Sequence, residues 1–500
     1  MASLNKEYSE EKLKGKIYTP FQIVDRILDE VGYFNESDFE KKILDPACGD
    51  GRFLIRIVNR IIDNSKSSNY VKYLSNIYGW DIDEEAVFDC KKKLDDIVKP
   101  LGLKINWNIS VKNSLYSNIE EDLFSEQKEF DKYSFIVGNP PYIRIQHLEE
   151  KQRKYIQKIF HFCSSGSTDI YIAFFELAIK LLDDDGICGF ITPNTYLYTE
   201  TAKPLRKYFA ITSCLIKIYN YGNIQLFENA TTYSAITIFN KKKQNEFIFL
   251  KAINKDTFKK RIIESSFLNN EVWNLSIDEL NTVNGKKLKD ICKIHVGITT
   301  LLDKAYMMKV IKENGKYVWV NSKFKGEVKI EKGITKPLIK ASRLKKSGEE
   351  ISEVVLFPYK KVNGKNIIIP EDDLKKNFPN AYDYLLSIRE ELDKRDNGNP
   401  NPVKWYAFGR SQGLDTSFGK KILFSPMNIK PNFIYSDNEE ATFYSGYCIK
   451  YDGKIENLLK QLNSSRMEKF IEASSRDFRG GWKAYNKKVI ENFEIDTRKL

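Results

Sequence analysis

The chain has 500 residues, of which 42% are hydrophobic, and a formal net charge of +12. This composition supports a sizeable core and the length predicts two or three domains, but no run of about 18 apolar residues exists to cross a membrane. The 7 cysteines form no C-x-x-C pair, which argues against a disulfide framework or a zinc ribbon, and the 3 histidines leave little material for a hydrolytic triad or a metal site.

The charge is distributed unevenly along the chain. Residues 251–500 carry 47 Lys and Arg against 33 Asp and Glu, or +14, whereas residues 1–250 carry 33 and 35, or −2. A basic half with interleaved aromatic residues is typical of a nucleic-acid partner, although a lysine-rich solvated surface explains the charge equally well. The first 15 residues are polar and lack the apolar segment of a signal peptide, so we expect a cytoplasmic protein.

The first predicted helix follows Thr19 and Pro20, because an amphipathic run begins at Ile23. Thr is a favoured N-cap residue and Pro is favoured at the first helical position, so we expect Thr19 to cap this helix. The N-H groups exposed at a helix start can also hold a carboxylate.

A strand, a glycine loop and a helix follow in that order. The strand ends at Asp45, the loop contains Gly49 and Gly51, and apolar residues on one face of segment 54–62 predict the helix. Glycines let the backbone approach a ligand closely, and this context is the one that a nucleotide-binding fingerprint requires. Cys48 is predicted to be a small packed residue of the turn and not a nucleophile.

A second predicted strand, residues 77–83, ends in acidic residues. Asp81, in preference to Asp83, is placed to accept hydrogen bonds from ribose hydroxyl groups. A third strand ends near Val111 and directs Asn113 and Ser114 towards an adenine edge.

A rigid loop, Gly138-Asn139-Pro140-Pro141-Tyr142, follows the fourth predicted strand, Phe135-Ile136-Val137. Each proline lacks an N-H group and has a fixed φ, so this segment continues neither a sheet nor an ordinary helix. The Asn139 side-chain oxygen and the Pro140 carbonyl present two acceptors to a planar NH2 group, and Tyr142 offers a ring for stacking. An exocyclic amine on a base is such a group, while a plain surface turn is the alternative.

The next elements complete a doubly wound pattern. A helix is predicted over residues 169–182, a turn over 183–186, a strand over 187–191, and two β-branched strands over 213–219 and 233–240. Strands that alternate with helices predict a parallel sheet, and the two neighbouring strands at the end predict an antiparallel edge.

Four of these segments, in this order, resemble motifs X, I, II and IV of the gamma-class, Taq-type DNA adenine-N6 methyltransferases of type II restriction-modification systems. They are Thr19-Pro20, the Asp45–Gly51 loop, Asp81-Ile82-Asp83 and Asn139-Pro140-Pro141-Tyr142. The resemblance covers residues 14–240. It implies an α/β fold, a class I (Rossmann-like) methyltransferase domain with a mostly parallel seven-stranded sheet, over residues 1–245. A connecting segment, 246–285, and an α+β target-recognition domain, 286–500, would follow.

The resemblance also implies S-adenosyl-L-methionine as the cofactor, with its carboxylate held by Thr19, its ribose by Asp81 and its adenine packed on Phe174. The implied cofactor-binding residues are Ile17, Thr19, Asp45, Pro46, Ala47, Cys48, Gly49, Gly51, Asp81, Ile82, Asn113, Ser114, Asn139 and Phe174. Asn113 departs from the Asp that is common in the family, but its side-chain carbonyl can still accept a hydrogen bond from the adenine amine.

The implied catalytic residues act on an adenine that has been flipped out of the duplex. They are Asn139, Pro140, Pro141, Tyr142 and Phe227. Tyr142 would stack on one face of the base and Phe227, from a loop that looks like motif VIII, on the other. The resemblance implies direct in-line transfer without a metal and without a covalent cysteine.

Specific DNA contacts are predicted in glycine-broken loops of the basic half. The predicted DNA-binding residues are Lys404, Arg410, Gln412, Arg476, Arg479 and Lys483. Arg and Gln make bidentate contacts with guanine and adenine, while lysines hold phosphates. The alternative is that Trp405 and Trp482, which interleave with them, are core residues.

Double-stranded DNA is therefore the expected partner, and a cognate restriction endonuclease is expected as a separate chain, with the protein itself a monomer and no membrane partner. An RNA adenine-N6 methyltransferase and a protein glutamine-N5 methyltransferase remain alternatives, since the latter also uses an Asn-Pro-Pro-Tyr loop on a planar amide. The glutamine enzymes carry a small domain ahead of the catalytic one, which does not match a cofactor motif at residue 19. A DNA-binding module without catalysis is disfavoured by the two intact loops.

Overall fold

The computed structural model describes residues 18–116, 131–227, 232–268, 273, 275, 285–475 and 478–500. The chain divides into two compact units, Met1–Glu279 and Leu280–Leu500, here called unit 1 and unit 2. Within these described ranges, every helix is too short or too polar to span a lipid bilayer.

Unit 1 contains one large sheet with helices on both faces. Its strands are β1 (Ile43–Asp45), β2 (Ile77–Asp81), β3 (Asn108–Val111), β4 (Tyr133–Gly138), β5 (Leu182–Pro193), β6 (Leu215–Gln225), β7 (Tyr233–Phe239), β8 (Glu246–Ala252) and β9 (Phe258–Glu264). Its helices are α1 (Phe21–Glu30), α2 (Glu36–Phe39), α3 (Arg52–Asn64), α4 (Tyr70–Leu74), α5 (Glu84–Val98), α6 (Glu150–Ile159), α7 (Tyr171–Leu181) and α8 (Lys203–Thr212).

The strand order of this sheet is β3-β2-β1-β4-β5-β7-β6-β8-β9. The first five strands are parallel, and β7 runs antiparallel to β5 and β6. The doubly wound α/β fold and the antiparallel pairing of β6 with β7 are as predicted, but this pair lies inside the sheet and does not form its edge. The sheet has nine strands and not seven, because β8 pairs in parallel with β6 and β9 pairs with β8.

Alternate residues of the central strands enter two separate cores. Leu44 and Ile136 belong to a cluster that includes buried residues of α7 and α8, while Ile43, Phe135 and Val137 belong to a cluster with residues of α1, α3 and α5. Successive side chains of a strand point to opposite faces, so the two clusters lie on opposite sides of the sheet. This two-sided burial explains why these strands are continuous apolar runs in the sequence.

Three predicted boundaries differ from the structure. Residues 246–264, assigned to a connecting segment, form the last two strands of the sheet. Strand β5 begins at Leu182, so the predicted turn 183–186 lies inside it, at a register shift against β4. Helix α1 begins at Phe21 with Pro20 at the N-cap position, so Thr19 is not its cap.

Unit 2 is an α+β structure with many short elements. Its strands are β10 (Lys286–Lys287), β11 (Lys293–Val296), β12 (Met307–Asn314), β13 (Tyr317–Ser322), β14 (Gly326–Glu331), β15 (Thr335–Lys340), β16 (Glu353–Leu356), β17 (Tyr359–Val362), β18 (Lys365–Ile368), β19 (Lys421–Phe424), β20 (Met427–Asn428), β21 (Phe433–Ser436), β22 (Thr442–Tyr444), β23 (Tyr447–Lys450), β24 (Lys483–Ala484) and β25 (Glu494–Ile495). Its helices are α9 (Leu288–Ile291), α10 (Asp303–Tyr306), α11 (Glu371–Asn377), α12 (Pro379–Ser387), α13 (Arg389–Asp393), α14 (Ile455–Leu462), α15 (Ser465–Ser474) and α16 (Lys487–Ile490). The two larger sheets are four-stranded, β11-β23-β19-β21, and six-stranded, β14-β13-β12-β16-β15-β22.

Candidate active site

A cavity of about 740 Å³ opens at the carboxyl ends of the central strands of unit 1. Strands β1 and β4 are neighbours, and the chain continues to opposite sides of the sheet from them. Such a switch point leaves a crevice where ligands bind in doubly wound folds. The predicted site residues that line the cavity are Thr19, Asp45, Pro46, Ala47, Cys48, Gly49, Asp81, Ile82, Asn113, Ser114, Asn139, Pro141 and Phe174.

The glycine loop after β1 is held by backbone hydrogen bonds. The Cys48 N-H donates to the Trp80 carbonyl at 2.9 Å and the Gly51 N-H to the Cys48 carbonyl at 2.9 Å. Gly49 and Gly51 have φ of +50° and +90°, conformations that glycine adopts at little cost. Gly51 precedes α3 and does not line the cavity; a Cβ there would lie 2.6 Å from the Cys90 sulfur. Gly51 therefore permits close helix packing, and only Gly49 faces the space.

Asp45, at the end of β1, is a buried carboxyl group on the cavity wall. Its Oδ1 accepts a hydrogen bond from the Ala47 N-H at 3.0 Å. Burial raises the pKa of Asp45 to about 8, against the lowering effect of the Ala47 hydrogen bond, and the nearby Asp81 charge adds to the rise. At neutral pH the group can therefore take up a proton when no cation faces it.

Gly138, the last residue of β4, makes room for that carboxyl group. A Cβ on Gly138 would lie 2.6 Å from Asp45 Oδ1, closer than real contacts allow. The absence of a side chain brings the end of β1 against the start of the Asn139 loop. The two motifs are thus adjacent in space although about ninety residues separate them in sequence.

Asp81, the last residue of β2, and Asp83, two residues later, hold the backbone around the cavity by hydrogen bonds. Asp81 Oδ2 accepts from the Gly49 N-H at 2.7 Å and Asp81 Oδ1 from the Asp83 N-H at 2.9 Å. Asp83 caps α5 by accepting from the Glu85 and Ala86 N-H groups. Asp81 is therefore the residue of this pair that holds the glycine loop, and it retains lone pairs for a ligand hydroxyl group.

Cys48 is a packed residue and not an activated thiol. It is buried beside Cys90, and a hydrogen bond with Cys90, together with burial, raises the pKa of its thiol well above the ordinary value. A thiol in this state is not a nucleophile at neutral pH, as its sequence context predicted.

The apolar side chains of Ile82 and Phe174 and the amide of Asn113 also line the cavity. Phe174 on α7 is buried, whereas Ile82 is 64% exposed although it is aliphatic. The Asn113 side-chain oxygen accepts from the Leu115 N-H at 3.1 Å, and the Ser114 hydroxyl donates to the Pro46 carbonyl at 2.5 Å. The Asn113 oxygen accepts this one bond and retains a second lone pair, and its NH2 group is a donor, so the side chain can still meet a base edge.

The cavity lining is predominantly acidic. Its acidic residues are Asp45, Asp50, Asp81, Asp83, Glu84, Glu85 and Asp89, and its basic residues are Arg52 and Lys112. Burial lowers the pKa of Lys112, whose ammonium group lies 3.7 Å from the centre of the Trp80 ring. A ligand with positive groups fits this lining, whereas the pyrophosphate of a dinucleotide would face like charges.

The Asn139 loop is tied to the segment that precedes α1. The Asn139 side-chain NH2 donates to the Thr19 hydroxyl oxygen at 3.1 Å. Thr19 is buried and lines the cavity, so its hydroxyl group acts across the site instead of capping the helix. Because the NH2 group is bonded to Thr19, the orientation of the Asn139 amide is fixed, with its oxygen directed away from that bond.

Tyr142 and Phe227 are in contact with each other. Their ring centres are 6.5 Å apart with planes at 66°, and Phe227 is only 3% exposed. Tyr142 also meets Tyr171 edge to face, and its hydroxyl oxygen is buried without a hydrogen-bond partner among the described residues. The rings are tilted and touching, so a base does not fit between them in this arrangement, contrary to the open slot that their predicted roles require. Neither ring lines the cavity, nor does Pro140.

Several cavity residues were absent from the sequence prediction. They include Tyr18, Arg52, Lys112, Tyr116, Leu148 and Gln152. Lys112 directly follows β3 and precedes Asn113, so its position at a strand end could have predicted that it lines the cavity. Leu148 and Gln152 come from the segment after the Asn139 loop, whose path no periodicity in the sequence defines. Ile17, predicted to bind the cofactor, lies outside the described residues.

The predicted DNA-binding residues of unit 2 are partly committed to other contacts. Arg410 pairs with Asp396 through two hydrogen bonds of 3.1 Å, although it is exposed. Lys404 and Gln412 are exposed, and Lys483 is partly buried in β24. Trp405 donates to Glu371 and Tyr406 is fully buried, so those aromatics are structural. Arg476 and the side chain of Arg479 lie outside the described residues.

Comparisons with known proteins agree with an α/β fold of the methyltransferase type. Residues 75–227 match the family described as Eco57I restriction-modification methylase. The chain is 28% identical to the type II restriction enzyme and methyltransferase RM.Eco57I of Escherichia coli, over 96% of this chain and 57% of that protein. It is 26% identical to the type II methyltransferase M.BanIII of Aneurinibacillus aneurinilyticus, over 89% and 82%.

A solved structure, that of the type IIL restriction-modification enzyme MmeI in complex with DNA, has a similar fold. Its TM-score is 0.58 at 13% identity, over 94% of this chain and 65% of that one. The chain thus spans a little over half of RM.Eco57I and about two thirds of MmeI. The resemblance predicted from the motifs is confirmed: the chain is similar to the gamma-class methyltransferases of type II restriction-modification systems.

Proposed function

We propose that the protein transfers a methyl group from S-adenosyl-L-methionine to N6 of an adenine in a specific double-stranded DNA sequence. The observation that carries this proposal is the position of Asn139. It stands at the end of β4, on the wall of the switch-point cavity, with its NH2 group bonded to Thr19. Its carbonyl oxygen is thereby oriented as an acceptor for an amine next to a cofactor-sized space.

The cavity residues fit S-adenosyl-L-methionine. Seven acidic residues against two basic ones suit a ligand with an ammonium and a sulfonium group. Asp45 and Asp81 would face the methionine and the ribose, and Ile82 and Phe174 would hold the adenine ring between apolar side chains. An aliphatic residue as exposed as Ile82 is explained if a planar ring covers it. The Asn113 NH2 group would then donate to a ring nitrogen of that adenine.

The chemistry assigned to the chain is orientation and charge stabilisation. When bound, the cofactor supplies an electrophilic methyl group on a positively charged sulfur. The Asn139 oxygen and the Pro140 carbonyl would accept the two amine hydrogens of the target base, which removes the nitrogen lone pair from conjugation and directs it at the methyl group. Developing positive charge on the amine is stabilised by these two acceptors, and the contribution is one of electrostatics and proximity.

A base inside a duplex cannot reach Asn139, so the target adenine must leave its stack at a cost of a few kcal/mol. We infer that Tyr142 stacks on the flipped base. Because Phe227 now occupies the space against the Tyr142 ring, binding of the base would require Phe227 to withdraw. The rings then exchange a contact with each other for contacts with the base.

Unit 2 would select the DNA sequence, and a cognate restriction endonuclease on a separate chain would be the functional partner. Two relationships support this part of the proposal: the similarity to M.BanIII, a type II methyltransferase, and the similarity in fold to MmeI, whose structure was solved in complex with DNA. The basic excess of residues 251–500 is the charge that a DNA contact requires.

The decisive test is a methyl-transfer assay with Asn139→Ala. We expect tritiated methyl incorporation into plasmid DNA to fall by at least about two orders of magnitude, since the amine loses its oriented acceptor. Affinity for S-adenosyl-L-methionine should stay within a few fold. Asn64→Ala, an exposed asparagine on α3, is the matched control and should keep full activity.

Sequencing of the methylated plasmid library at single-molecule resolution should find N6-methyladenine at one motif. Incorporation into RNA or into a glutamine-containing peptide, with none into DNA, would contradict the proposal. So would an Asn139→Ala variant as active as the native protein.

A further inference from the structure

Leu301 of unit 2 combines exposure with a conformation that leucine rarely adopts. Its φ is +60° and its side chain is 40% exposed. The other described non-glycine residues with positive φ are Ser213, Asn363, Asp396, Asn397 and Ser445, all small and polar. Asn and Asp enter this region readily because their side chains bond locally, whereas a bulky apolar residue is an outlier there.

The surrounding backbone holds Leu301 in place. The Gly409 N-H donates to the Thr300 carbonyl at 3.0 Å and the Arg410 N-H to the Thr299 carbonyl at 3.2 Å. The buried Thr300 hydroxyl donates to Asp303 at 2.6 Å and accepts from the Leu302 N-H. Leu301 is therefore a rigidly presented side chain, not a mobile loop tip.

Gly409 and Arg395 contact the loop of residues 299–302, which we call the Leu301 loop, and hold it in this conformation. A Cβ on Gly409 would lie 2.4 Å from Leu301 Cγ, so the glycine leaves room for the leucine. Arg395 is buried and donates to the carbonyl groups of Thr300, Trp405 and Ala407, which joins the Leu301 loop to the loop that precedes Arg410. A strained conformation that so many contacts enforce indicates a functional constraint, because glycine at 301 would relieve it.

The surface beside Leu301 includes Arg410, whose type of side chain recognises base edges. Arg410 forms an isolated bridge with Thr299, follows Gly409, which packs against Leu301, and has its guanidinium group bonded to Asp396. Arg and Gln make bidentate contacts with guanine and adenine in the major groove, where the one apolar group on a base edge is the thymine methyl. An exposed, rigid aliphatic side chain beside Arg410 is complementary to that methyl group.

We propose that Leu301 is a specificity-determining residue that contacts the methyl group of a thymine in the recognised DNA sequence. This inference rests on the proposed function, since it needs a duplex bound by unit 2. It assigns a role to a residue that no motif singled out. It also predicts that the recognition sequence, on one strand or the other, has a thymine next to the base contacted by Arg410.

The experiment combines substitution of Leu301 in the protein with substitution of individual thymines in the DNA. With the motif known from sequencing, each thymine of a short duplex is replaced in turn by deoxyuridine, which lacks the methyl group. Fluorescence anisotropy with the full-length protein should show a loss of affinity of roughly fourfold at one position, the factor for one buried methyl group. Leu301→Gly should bind the thymine duplex that much more weakly and show no further loss with deoxyuridine at that position.

Two further variants separate recognition from folding. Leu301→Asn suits the left-handed backbone but removes the apolar group, and should lose the same discrimination. Ile367→Ala removes an equally exposed aliphatic side chain, 48% exposed on β18, and should bind like the native protein. The melting temperature of Leu301→Gly should stay close to that of the native protein, because relief of the positive φ offsets the greater entropy of glycine in the unfolded chain.

The outcomes are distinct. The inference is overturned if no single deoxyuridine weakens native binding, if Leu301→Gly or Leu301→Asn keeps the thymine preference, or if the two variants weaken every duplex alike. Absence of specific DNA binding by the native protein would overturn the proposed function itself, which the methylation assay establishes first.

Discussion

Asp45 connects the switch-point cavity with the Asn139 loop, since it lines the first and packs against Gly138 at the start of the second. Burial raises its pKa to about 8 in the free protein. Under the proposed function, the ammonium and sulfonium groups of the cofactor favour the charged carboxylate and lower that pKa. Binding at about pH 7 would therefore release a proton, and affinity would rise as pH approaches 8 and level off above it.

Calorimetry checks this first prediction. The binding enthalpy of S-adenosyl-L-methionine near neutral pH should differ between phosphate and Tris buffers in the direction of proton release. In Asp45→Asn the buffer dependence should vanish, and binding should weaken by about 1.5–3 kcal/mol, the value of a hydrogen bond to a charged group. Identical enthalpies in both buffers for the native protein would remove Asp45 from the cofactor contact.

Tyr142 and Phe227 should respond differently to truncation. Tyr142→Ala should weaken the complex with a duplex that carries 2-aminopurine at the target position by about 1–3 kcal/mol, the value of a base–aromatic stack. Phe227→Ala should also lower the free energy of unfolding by about 3–5 kcal/mol, since that ring is buried. Phe267→Ala, which removes a ring that is 69% exposed, is the control for stability. Unchanged duplex binding in both variants would show that the two rings are only structural.

Residue types in order predicted fewer than half of the residues that line the cavity, 13 of 30, and did not show how each side chain is used. Asp45, Asp81 and Asn139 follow apolar strands, and strand ends meet at one edge of a parallel sheet, so their convergence is predictable. The role of Thr19 was not, because a Thr-Pro pair before an amphipathic run indicates a helix cap and the bond to Asn139 spans 120 residues. The pairing of Arg410 with Asp396 is likewise a tertiary contact that spacing does not reveal.

At the scale of elements, the β8–β9 hairpin completes unit 1. Strand β8 covers the edge of β6 over Lys217–Asn220, and Arg26 of α1 bonds to Tyr221 and Asp256, which ties the hairpin turn to the first helix. Phe247 and Phe249 are buried in one core while Leu250 and Phe258 pack against the other. In β8 apolar residues follow one another on both faces, and in β9 only Ile263 is buried, so neither strand shows the alternation that marks a half-buried strand and 246–264 resembles a linker in the sequence.

A fragment that ends at residue 245 should therefore aggregate, whereas one that ends at residue 279 should be soluble. The shorter fragment leaves β6 as an open edge and uncovers apolar residues of both cores. Size-exclusion chromatography of the two fragments provides the comparison. The longer one should bind S-adenosyl-L-methionine and show no preferred DNA site; a selective fragment would contradict the recognition role of unit 2.

At the scale of the whole molecule, the proposed phosphate contacts and the proposed base contacts should make separable contributions to DNA binding. Lys404→Ala should weaken binding to all sequences alike and lower the slope of log affinity against log salt by about one, because one phosphate contact is lost. Arg410→Ala should instead relax the preference at one base pair, by about 1–3 kcal/mol. Asp396→Asn, which releases Arg410, is the companion variant and should keep the preference.

Titrations at several salt concentrations with matched and mismatched duplexes separate the two effects. A sequence-dependent loss for Lys404→Ala, or a uniform one for Arg410→Ala, would reverse the assigned roles. Only part of the proposed DNA-binding surface of unit 2 could be predicted. Net charge and loop composition are visible in the sequence, whereas a mixture of short strands and helices has no single hydrophobic period from which its packing follows.

The contact between Gly138 and Asp45 also bears on how mutational tolerance should be interpreted. In a saturation library selected for protection of host DNA, position 138 would be as intolerant as position 139, because any side chain there collides with a carboxyl group 2.6 Å away. Position 51 would behave similarly, owing to the Cys90 sulfur and the φ of +90°. Neither glycine would touch the base that is methylated. Under the proposed function, intolerance to substitution would therefore mark the packing of the loops as much as their chemistry. A survey that ranked residues by lost fitness alone would count both glycines among the catalytic groups.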